Sequence, residues 1–174
     1  MHVFLTGGRG IGKSQIIQNV VSLLGRTPYG FLTRFRSDGE CASSLHMISP
    51  SNEEPLTEEN RIAFRRGKGM VLLPERFDLL SAHLLQEASL QHEGIILMDE
   101  CGHLEAKMHR FHQQIMHILD GEIPVLGALR LNQPWHACIK NHPRVKVFYV
   151  NTENREVLPE IIAKVMLQKD IFNI

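Results

Sequence analysis

Short runs of consecutive apolar residues alternate along this chain with longer segments in which apolar residues recur every three or four positions. The runs are typical of strands buried on both faces, and the helical spacing is typical of amphipathic helices. The runs predict strands over residues 3–5, 95–98, 123–129 and 145–150. The spacing predicts helices over residues 16–24, 74–91, 105–119, 133–140 and 155–169. Strands that alternate with helices favour a layered α/β fold with a mostly parallel sheet.

The segment between the first two predicted helices has a different pattern, with several turn signals. Residues 29–36 predict a strand, Asp38-Gly39 predicts a tight turn, and residues 42–48 predict the returning strand of a hairpin. Residues 49–60 are polar and contain two prolines, so they predict an exposed loop. Residues 70–73 predict one more short strand. We expect the hairpin to add antiparallel strands at one edge of the sheet.

The length and composition favour one domain that spans residues 1–174. A chain of 174 residues, of which 43% are hydrophobic and 22% charged, is long enough for one sizeable core. The 19 basic residues balance the 19 acidic ones, so no overall positive charge favours binding to nucleic acid. No apolar run approaches the ~18 residues that a membrane-spanning helix needs.

Two further features favour a cytoplasmic protein. The three cysteines, Cys41, Cys101 and Cys138, are odd in number and far apart, as is typical of reduced thiols rather than of a disulfide framework. The first predicted strand begins at once, so cleavage of a signal peptide would remove the glycine-rich segment that follows it.

This glycine-rich segment joins the first predicted strand to the first predicted helix. It has the phosphate-loop spacing of a glycine, four residues and then Gly-Lys-Ser, and it consists of Gly7, Gly8, Arg9, Gly10, Ile11, Gly12, Lys13 and Ser14. Glycines let backbone N–H groups turn inward, and the helix N-terminus favours an anion, so the segment predicts phosphate binding. Lys13 is expected to reach the β- and γ-phosphates, and Ser14 to bind Mg²⁺.

Two other interpretations of the segment remain. The first is a glycine-rich turn without a ligand. The second is a dinucleotide site, which fits less well because Lys13 stands where that motif needs its third glycine.

Two acidic residues, Asp99 and Glu100, end the second apolar run. Ligands of open α/β sheets gather at the carboxyl ends of the strands, where Asp99 would bind Mg²⁺ directly or through water. Glu100 would accept a proton from an attacking water or orient it toward the γ-phosphate. The pair therefore favours hydrolysis, and the alternative is an acidic pair that caps the next turn.

Several motifs together resemble the THEP1-type nucleoside-triphosphatases. Residues 97–105 are similar to the family signature Asp-Glu-Ile-Gly-Pro-Met-Glu, and residues 1–14 are similar to the family's start and phosphate loop. The other similar segments are Gly30-Phe31-Leu32-Thr33, residues 66–77, and Asn154-Arg155 with the two apolar residues that follow. These segments occur in one order over nearly the whole chain.

The resemblance implies a three-layer, RecA-like P-loop NTPase fold and Mg²⁺-dependent hydrolysis of ATP, GTP and other nucleoside triphosphates with broad base specificity. By position, Gly12, Lys13 and Ser14 would bind phosphate and metal, Asp99 the metal, and Glu100 would be catalytic. The chain departs from the family pattern at four positions, which are Arg9, Gln15, Cys101 and His103. Gln15 is still expected to contribute to nucleotide binding.

Phosphoryl transfer also needs positive charge near the γ-phosphate. Lys68 is the first candidate because it falls in a family-like segment, and it is predicted to be catalytic. Arg65 and Arg66, which we expect to share a glycine-containing loop with Lys68, are further candidates, as are Arg9 and Arg130. The alternative for all of them is a solvated basic surface.

Residues after the last predicted strand often line the nucleobase pocket of P-loop folds, so Asn154 and Arg155 are predicted to contact the nucleotide. An equally weighted alternative is that Asn151 or Thr152 caps the last helix.

The histidine-rich region allows one metal hypothesis. One hypothesis is zinc binding by Cys101, His103, His109 and His112, and the favoured alternative is a solvated helix face because a second tight ligand pair is missing. Trp135 is interpreted as a partly buried anchor, with stacking on a base as the alternative.

Two other functions share the phosphate loop. A nucleotide or small-molecule kinase would phosphorylate an acceptor, and a nucleotide-gated binding switch would hydrolyse slowly and bind a protein partner in one nucleotide state.

Overall fold

The uninterrupted apolar runs form the buried strands of a large sheet. The computed structural model describes residues 1–37, 43–52, 54–101 and 108–167, with the backbone alone for Glu100 and Cys101. The strands are β1 (His2–Gly7), β2 (Pro28–Ser37), β3 (Ser43–Ile48), β4 (Arg61–Arg66), β5 (Gly69–Leu72), β6 (Ile95–Cys101), β7 (Val125–Arg130) and β8 (Val145–Val150). The helices are α1 (Lys13–Leu24), α2 (Pro74–Ser89), α3 (His109–Asp120), α4 (Ala137–Lys140) and α5 (Leu158–Leu167), and a 3₁₀ turn (Pro134–His136) precedes α4.

The sheet has a parallel half and an antiparallel half. Its strand order is β5-β4-β3-β2-β6-β7-β1-β8. Strands β2, β6, β7, β1 and β8 run parallel to one another, and β3, β4 and β5 add antiparallel pairs beyond β2. This arrangement confirms the predicted α/β fold with a mostly parallel sheet and an antiparallel edge.

Helices cover both faces of the parallel half, which gives three layers. Because side chains alternate along a strand, Val3 and Leu5 pack with α1 and α5, whereas Phe4 packs with α2 and α3. Phe31 and two helix residues, Phe77 and Phe111, form a ring cluster on the second face with centroids 5.4 to 6.3 Å apart. Edge-to-face pairs of this kind add about 1 kcal/mol each beyond area burial.

The start of α3 is fixed by a neighbouring helix. Its N-cap position is Met108, a residue without the oxygen that a cap usually supplies. Instead, Phe111 N–H donates to the Asp78 carboxylate of α2 at 2.9 Å. This contact connects the first turn of α3 to α2 on the second core face.

Some predicted boundaries were wrong. The basic residues Arg65 and Arg66 were placed in a loop, but they lie on β4, whose Ile62 and Ala63 are buried. A bulge in the β3–β4 register makes these two buried residues adjacent, so β4 lacks the alternating pattern by which a strand with one solvated face is predicted.

Two predicted helix starts also move. The last helix begins at Leu158 rather than at Arg155 because side-chain hydrogen bonds hold the preceding residues in turns. Helix α3 begins at His109, and residues 105–107 of the predicted helix lie outside the described residues, as does the predicted Asp38-Gly39 turn. Within the described ranges, no helix is both long and apolar enough to cross a membrane.

Candidate functional site

The glycine-rich segment connects the carboxyl end of β1 to the N-terminus of α1. Strand β1 is buried along its whole length between β7 and β8. A Cβ on Gly7 would lie 2.6 Å from the Val150 carbonyl oxygen, so β8 leaves no room for a side chain there. Gly12 is the N-cap of α1 and has φ +103°, a left-handed conformation that favours glycine. The loop backbone therefore depends on its glycines for both space and conformation.

Lys13 is buried at the first position of α1, and its side chain turns back into the loop. Its Nζ donates to the carbonyl oxygens of Gly7 at 3.1 Å and Gly8 at 2.9 Å. The ammonium group is thus held beside the exposed backbone of the loop, where an anion bound by the loop would meet it.

Ser14 brings the loop together with β6, the strand that carries the predicted metal ligand. Its Oγ donates to Asp99 Oδ1 at 2.9 Å, across 85 positions of sequence. Asp99 is only 4% exposed. A serine hydroxyl and a carboxylate are hard oxygen donors of the kind that Mg²⁺ prefers. The pair therefore suits a magnesium ion.

Thr33 of β2 is a further member of this cluster that the sequence analysis assigned no role. Its Oγ1 donates to Asp99 Oδ2 at 3.4 Å. The sequence feature that could have indicated Thr33 is the family-like segment Gly30-Phe31-Leu32-Thr33. That segment includes the residue but does not predict its contact with Asp99.

A β-bulge in β6 contains Asp99 and Glu100. Met98 pairs with Gly127 and Cys101 with Leu129, so β6 uses one more residue than β7 over this interval. Bulges redirect side chains and are common beside active sites. The backbone of Glu100 is adjacent to Asp99 in β6, and its side chain lies outside the described residues.

The other residues predicted in the loop are more exposed. Gly8, Arg9 and Gly10 form the exposed tip, and Ile11 packs half-buried against the α1 core face. Gln15 lies on the exposed surface of α1, where its Nε2 donates to Asn19 Oδ1 at 3.1 Å.

The loop after β8 lies beside the phosphate loop because β8 pairs with β1. Asn151 Oδ1 accepts hydrogen bonds from the backbone N–H groups of Glu153 and Asn154 at 3.0 and 2.9 Å. These bonds resemble those of the predicted helix cap, but Asn151 lies several residues before the start of α5. Asn154 Oδ1 accepts the Asn151 N–H at 3.0 Å, and its Nδ2 donates to Tyr149 O at 2.8 Å. The half-exposed Arg155 pairs with Glu156, Nε to Oε1, at 3.1 Å.

Comparison with known proteins shows the family of the chain. A family described as NTPase has a model that matches residues 2–163. The chain belongs to the NTPase family. The nucleoside-triphosphatase THEP1 of Thermotoga maritima is 28% identical over 169 residues, which cover 95% of each chain. The predicted family and the prediction of a nucleoside-triphosphate hydrolase are confirmed.

Two solved structures share the fold. A solution structure of a human cancer-related nucleoside triphosphatase has a TM-score of 0.70 and 27% identity, covering 94% of this chain and 96% of that one. The crystal structure of THEP1 from Aquifex aeolicus has a TM-score of 0.72 over 95% of this chain and 98% of that one, at 21% identity.

Lys68 of this NTPase lies in the antiparallel half of the sheet, away from the phosphate loop. It is exposed in the turn between β4 and β5, three to four strand positions from β6. With about 4.8 Å between neighbouring strands, the turn lies roughly 14 to 19 Å from β6 across the sheet. Arg130 is much closer to the phosphate loop, because it pairs with Gly7 in the β1–β7 register.

Trp135 is a partly buried anchor, as predicted. His112 stacks on it at 4.9 Å between ring centroids, and Phe111 contacts its edge. Burial, followed by the nearby His109, lowers the pKa of His112. The described residues contain no group of three potential metal ligands, and two members of the zinc hypothesis, His103 and the Cys101 side chain, lie outside them.

Proposed function

We propose that residues 1–174 act as one Mg²⁺-dependent enzyme domain that hydrolyses ATP, GTP and other nucleoside triphosphates to the diphosphate and phosphate. The observation that carries this proposal is the 2.9 Å hydrogen bond between Ser14 and Asp99. It joins the phosphate-loop helix to the acidic end of β6, the two parts that a metal-assisted NTPase needs at one point.

The triphosphate would bind to the glycine-rich loop and the N-terminus of α1. Backbone N–H groups and the helix dipole favour an anion there. Lys13 would exchange its carbonyl partners for the β- and γ-phosphate oxygens, to which charge-assisted hydrogen bonds are stronger. The residues that we assign to nucleotide binding are Gly7, Gly8, Arg9, Gly10, Ile11, Gly12, Lys13, Ser14, Gln15, Asn154 and Arg155.

The metal would be held by Ser14 and Asp99. When bound, Mg²⁺ would neutralise part of the negative charge on the phosphate oxygens. A hydroxyl and one carboxylate leave the remaining positions for phosphate and water, as Mg²⁺ commonly requires.

Glu100 is the residue we assign to the attacking water. Its backbone follows Asp99 at the bulge, so it lies at the same end of β6 as the proposed metal ligand. Its carboxylate would orient the water in line with the leaving group and accept its proton. Lys68 is retained as the candidate for additional positive charge, a role that requires the β4–β5 turn to approach the loop.

Broad base specificity is supported by the loop after β8. Both ends of the Asn154 amide are hydrogen-bonded to backbone groups of that loop, so Asn154 would contact the nucleotide by packing against it and not by a directed hydrogen bond to a base edge. Base selection usually depends on such directed hydrogen bonds. We therefore expect similar hydrolysis of purine and pyrimidine triphosphates.

Phosphate release from ATP, GTP, CTP and UTP, measured with Mg²⁺ and again with EDTA, tests this function. We expect release from all four with Mg²⁺ and loss of release with EDTA. Phosphorylation of an added nucleoside or monophosphate without free phosphate would contradict hydrolysis and indicate a kinase.

Lys13→Ala tests the binding site itself. Loss of charge-assisted hydrogen bonds of about 2–3 kcal/mol should weaken nucleotide binding roughly 30- to 160-fold. Isothermal titration with a non-hydrolysable ATP analogue measures the change, with Lys140→Ala, an exposed lysine of α4, as the control. Equal affinity of the Lys13→Ala and wild-type proteins would rule out this site.

A further inference from the structure

The family-like segment Gly30-Phe31-Leu32-Thr33 lies on β2, the strand next to the one that carries Asp99. None of its residues has a part in the function proposed above. We propose that Thr33 is a positioning residue, which orients the Asp99 carboxylate for the metal that accompanies the nucleotide. This inference rests on the proposed NTPase function and assigns it one further residue.

The register of two strands places Thr33 next to Asp99. Strand β2 pairs with β6 from Pro28–Ile95 to Phe31–Met98. From Leu32 onward, β2 pairs with β3. Thr33 therefore lies just beyond the last β2–β6 pair, as Asp99 does on β6, and its hydroxyl points across the gap to Asp99 Oδ2.

Gly30 allows the two strands to come this close. A Cβ at this position would lie 2.3 Å from the Leu97 carbonyl oxygen, which is backbone and cannot move aside as a side chain can. Its φ of +86° is also a conformation that favours glycine. Gly30 thus allows β2 to approach β6 closely enough for Thr33 to reach Asp99.

Ser14 and Thr33 hold different oxygens of the same carboxylate. Ser14 donates to Oδ1 from α1, and Thr33 donates to Oδ2 from β2. Two donors from separate elements fix both the position and the rotation of the carboxylate plane. Ser14 must also offer its oxygen to the metal, whereas Thr33 needs only to hold Asp99.

Burial makes this hydroxyl hard to replace. Asp99 is 4% exposed, so bulk water has little access to Oδ2 if the Thr33 hydroxyl is removed. Outer hydrogen bonds to metal ligands are worth about 10- to 100-fold in metal affinity. The 3.4 Å distance is long for an O–H···O bond, so we expect the lower end, roughly 5- to 10-fold.

The test compares three variants by their nucleotide affinity with and without metal. Thr33→Val removes the hydroxyl at constant shape, Thr33→Ser keeps it, and Ser37→Ala removes an exposed hydroxyl from the same strand as a control. The affinity of a fluorescent, non-hydrolysable ATP analogue is measured in Mg²⁺ and in EDTA, and the ratio of the two affinities reports the metal's contribution.

We expect Thr33→Val to lower this ratio roughly 5- to 10-fold while the affinity in EDTA stays at the wild-type value. Thr33→Ser should restore the ratio, and Ser37→Ala should not change it. A merely structural role would lower both affinities together and leave the ratio unchanged.

Failure of this inference differs from failure of the proposed function. A wild-type ratio in Thr33→Val, or an equally low ratio in Thr33→Ser, would overturn the positioning role alone. A wild-type protein whose affinity is the same in Mg²⁺ and in EDTA would overturn the metal site and this inference with it.

Discussion

The parallel and antiparallel halves of the sheet differ in how they are buried and in what they carry. In the parallel half, β1 is buried throughout, its neighbour β7 and the described side chains of β6 are almost as deeply buried, and the edge strand β8 is partly exposed. In the antiparallel half, β5 exposes Met70 and Leu72 to solvent, and the end of β2 that pairs with β3 exposes Phe35. The residues assigned to phosphate and metal follow β1 and end β6, both in the parallel half.

Connectivity explains this difference. Parallel neighbours require long crossovers, which return every strand in the same direction and collect the carboxyl ends at one edge. Ser14 and Asp99 meet there although 85 positions separate them. The antiparallel strands are joined by local hairpins and bring fewer distant residues together. We therefore expect substitutions in the parallel half to dominate the effects on both activity and stability.

The largest effect should come from Glu100→Gln. Removal of a general base typically lowers turnover 10²- to 10⁴-fold, and glutamine keeps the size of the side chain. Nucleotide affinity should remain within about twofold of wild type, because we assign Glu100 to the water and not to the phosphates. Steady-state phosphate release and analogue titration measure the two quantities separately.

A matched variant lies at the other end of the same strand. Glu93→Gln removes an exposed carboxylate just before β6, at the edge opposite the site, and should turn over like wild type. If Glu100→Gln retained full turnover, Glu100 would have no place in the mechanism. If Glu93→Gln were equally impaired, the two edges of the parallel half would not differ as proposed.

The sequence predicted the parallel half better than the antiparallel half, for a physical reason. Short apolar runs such as Ile95–Met98 are typical of strands that are buried on both faces, so they predict such strands clearly. Strand β4 was missed because Arg61, Arg65 and Arg66 dominate its six residues, while its two fully buried residues are adjacent rather than alternating. A bulge in the β3–β4 register accounts for that irregular spacing.

The candidate site was predicted in part. Phosphate-loop spacing predicted Lys13 and Ser14, and the acidic pair at the end of an apolar run predicted Asp99. The structure brings Ser14 and Asp99 within 2.9 Å of each other, and the roles of all three residues stay predictions. The Thr33–Asp99 contact could not be predicted, because it depends on the neighbour order and register of β2 and β6, which local pattern does not determine. The start of α5 was misplaced for a similar reason, since the Asn151 and Asn154 contacts compete with helix formation.

Two glycine substitutions, one in each half of the sheet, should have effects of intermediate size on stability. Gly30→Ala would place a Cβ 2.3 Å from a β6 carbonyl oxygen at φ +86°, and we expect a loss of about 2–4 kcal/mol in the free energy of unfolding. Gly69→Ala, on β5, meets open space among the described residues and should change stability by less than about 0.5 kcal/mol. Urea denaturation measures both, and equal losses would show that close strand approach is not special to the parallel half.

The smallest expected effect on catalysis, that of Lys68→Ala, tests whether a residue outside the parallel half takes part in the reaction. Lys68 is exposed on the β4–β5 turn, outside the parallel half. If the turn approaches the γ-phosphate during hydrolysis, loss of its charge should lower kcat about tenfold, equivalent to about 1.4 kcal/mol, with unchanged nucleotide affinity. Lys68→Arg should retain most of the rate, and Lys164→Ala, an exposed lysine of α5, controls for the loss of a surface charge. A wild-type kcat in Lys68→Ala would exclude the turn from the mechanism, because a catalytic cation cannot be removed without a change in rate.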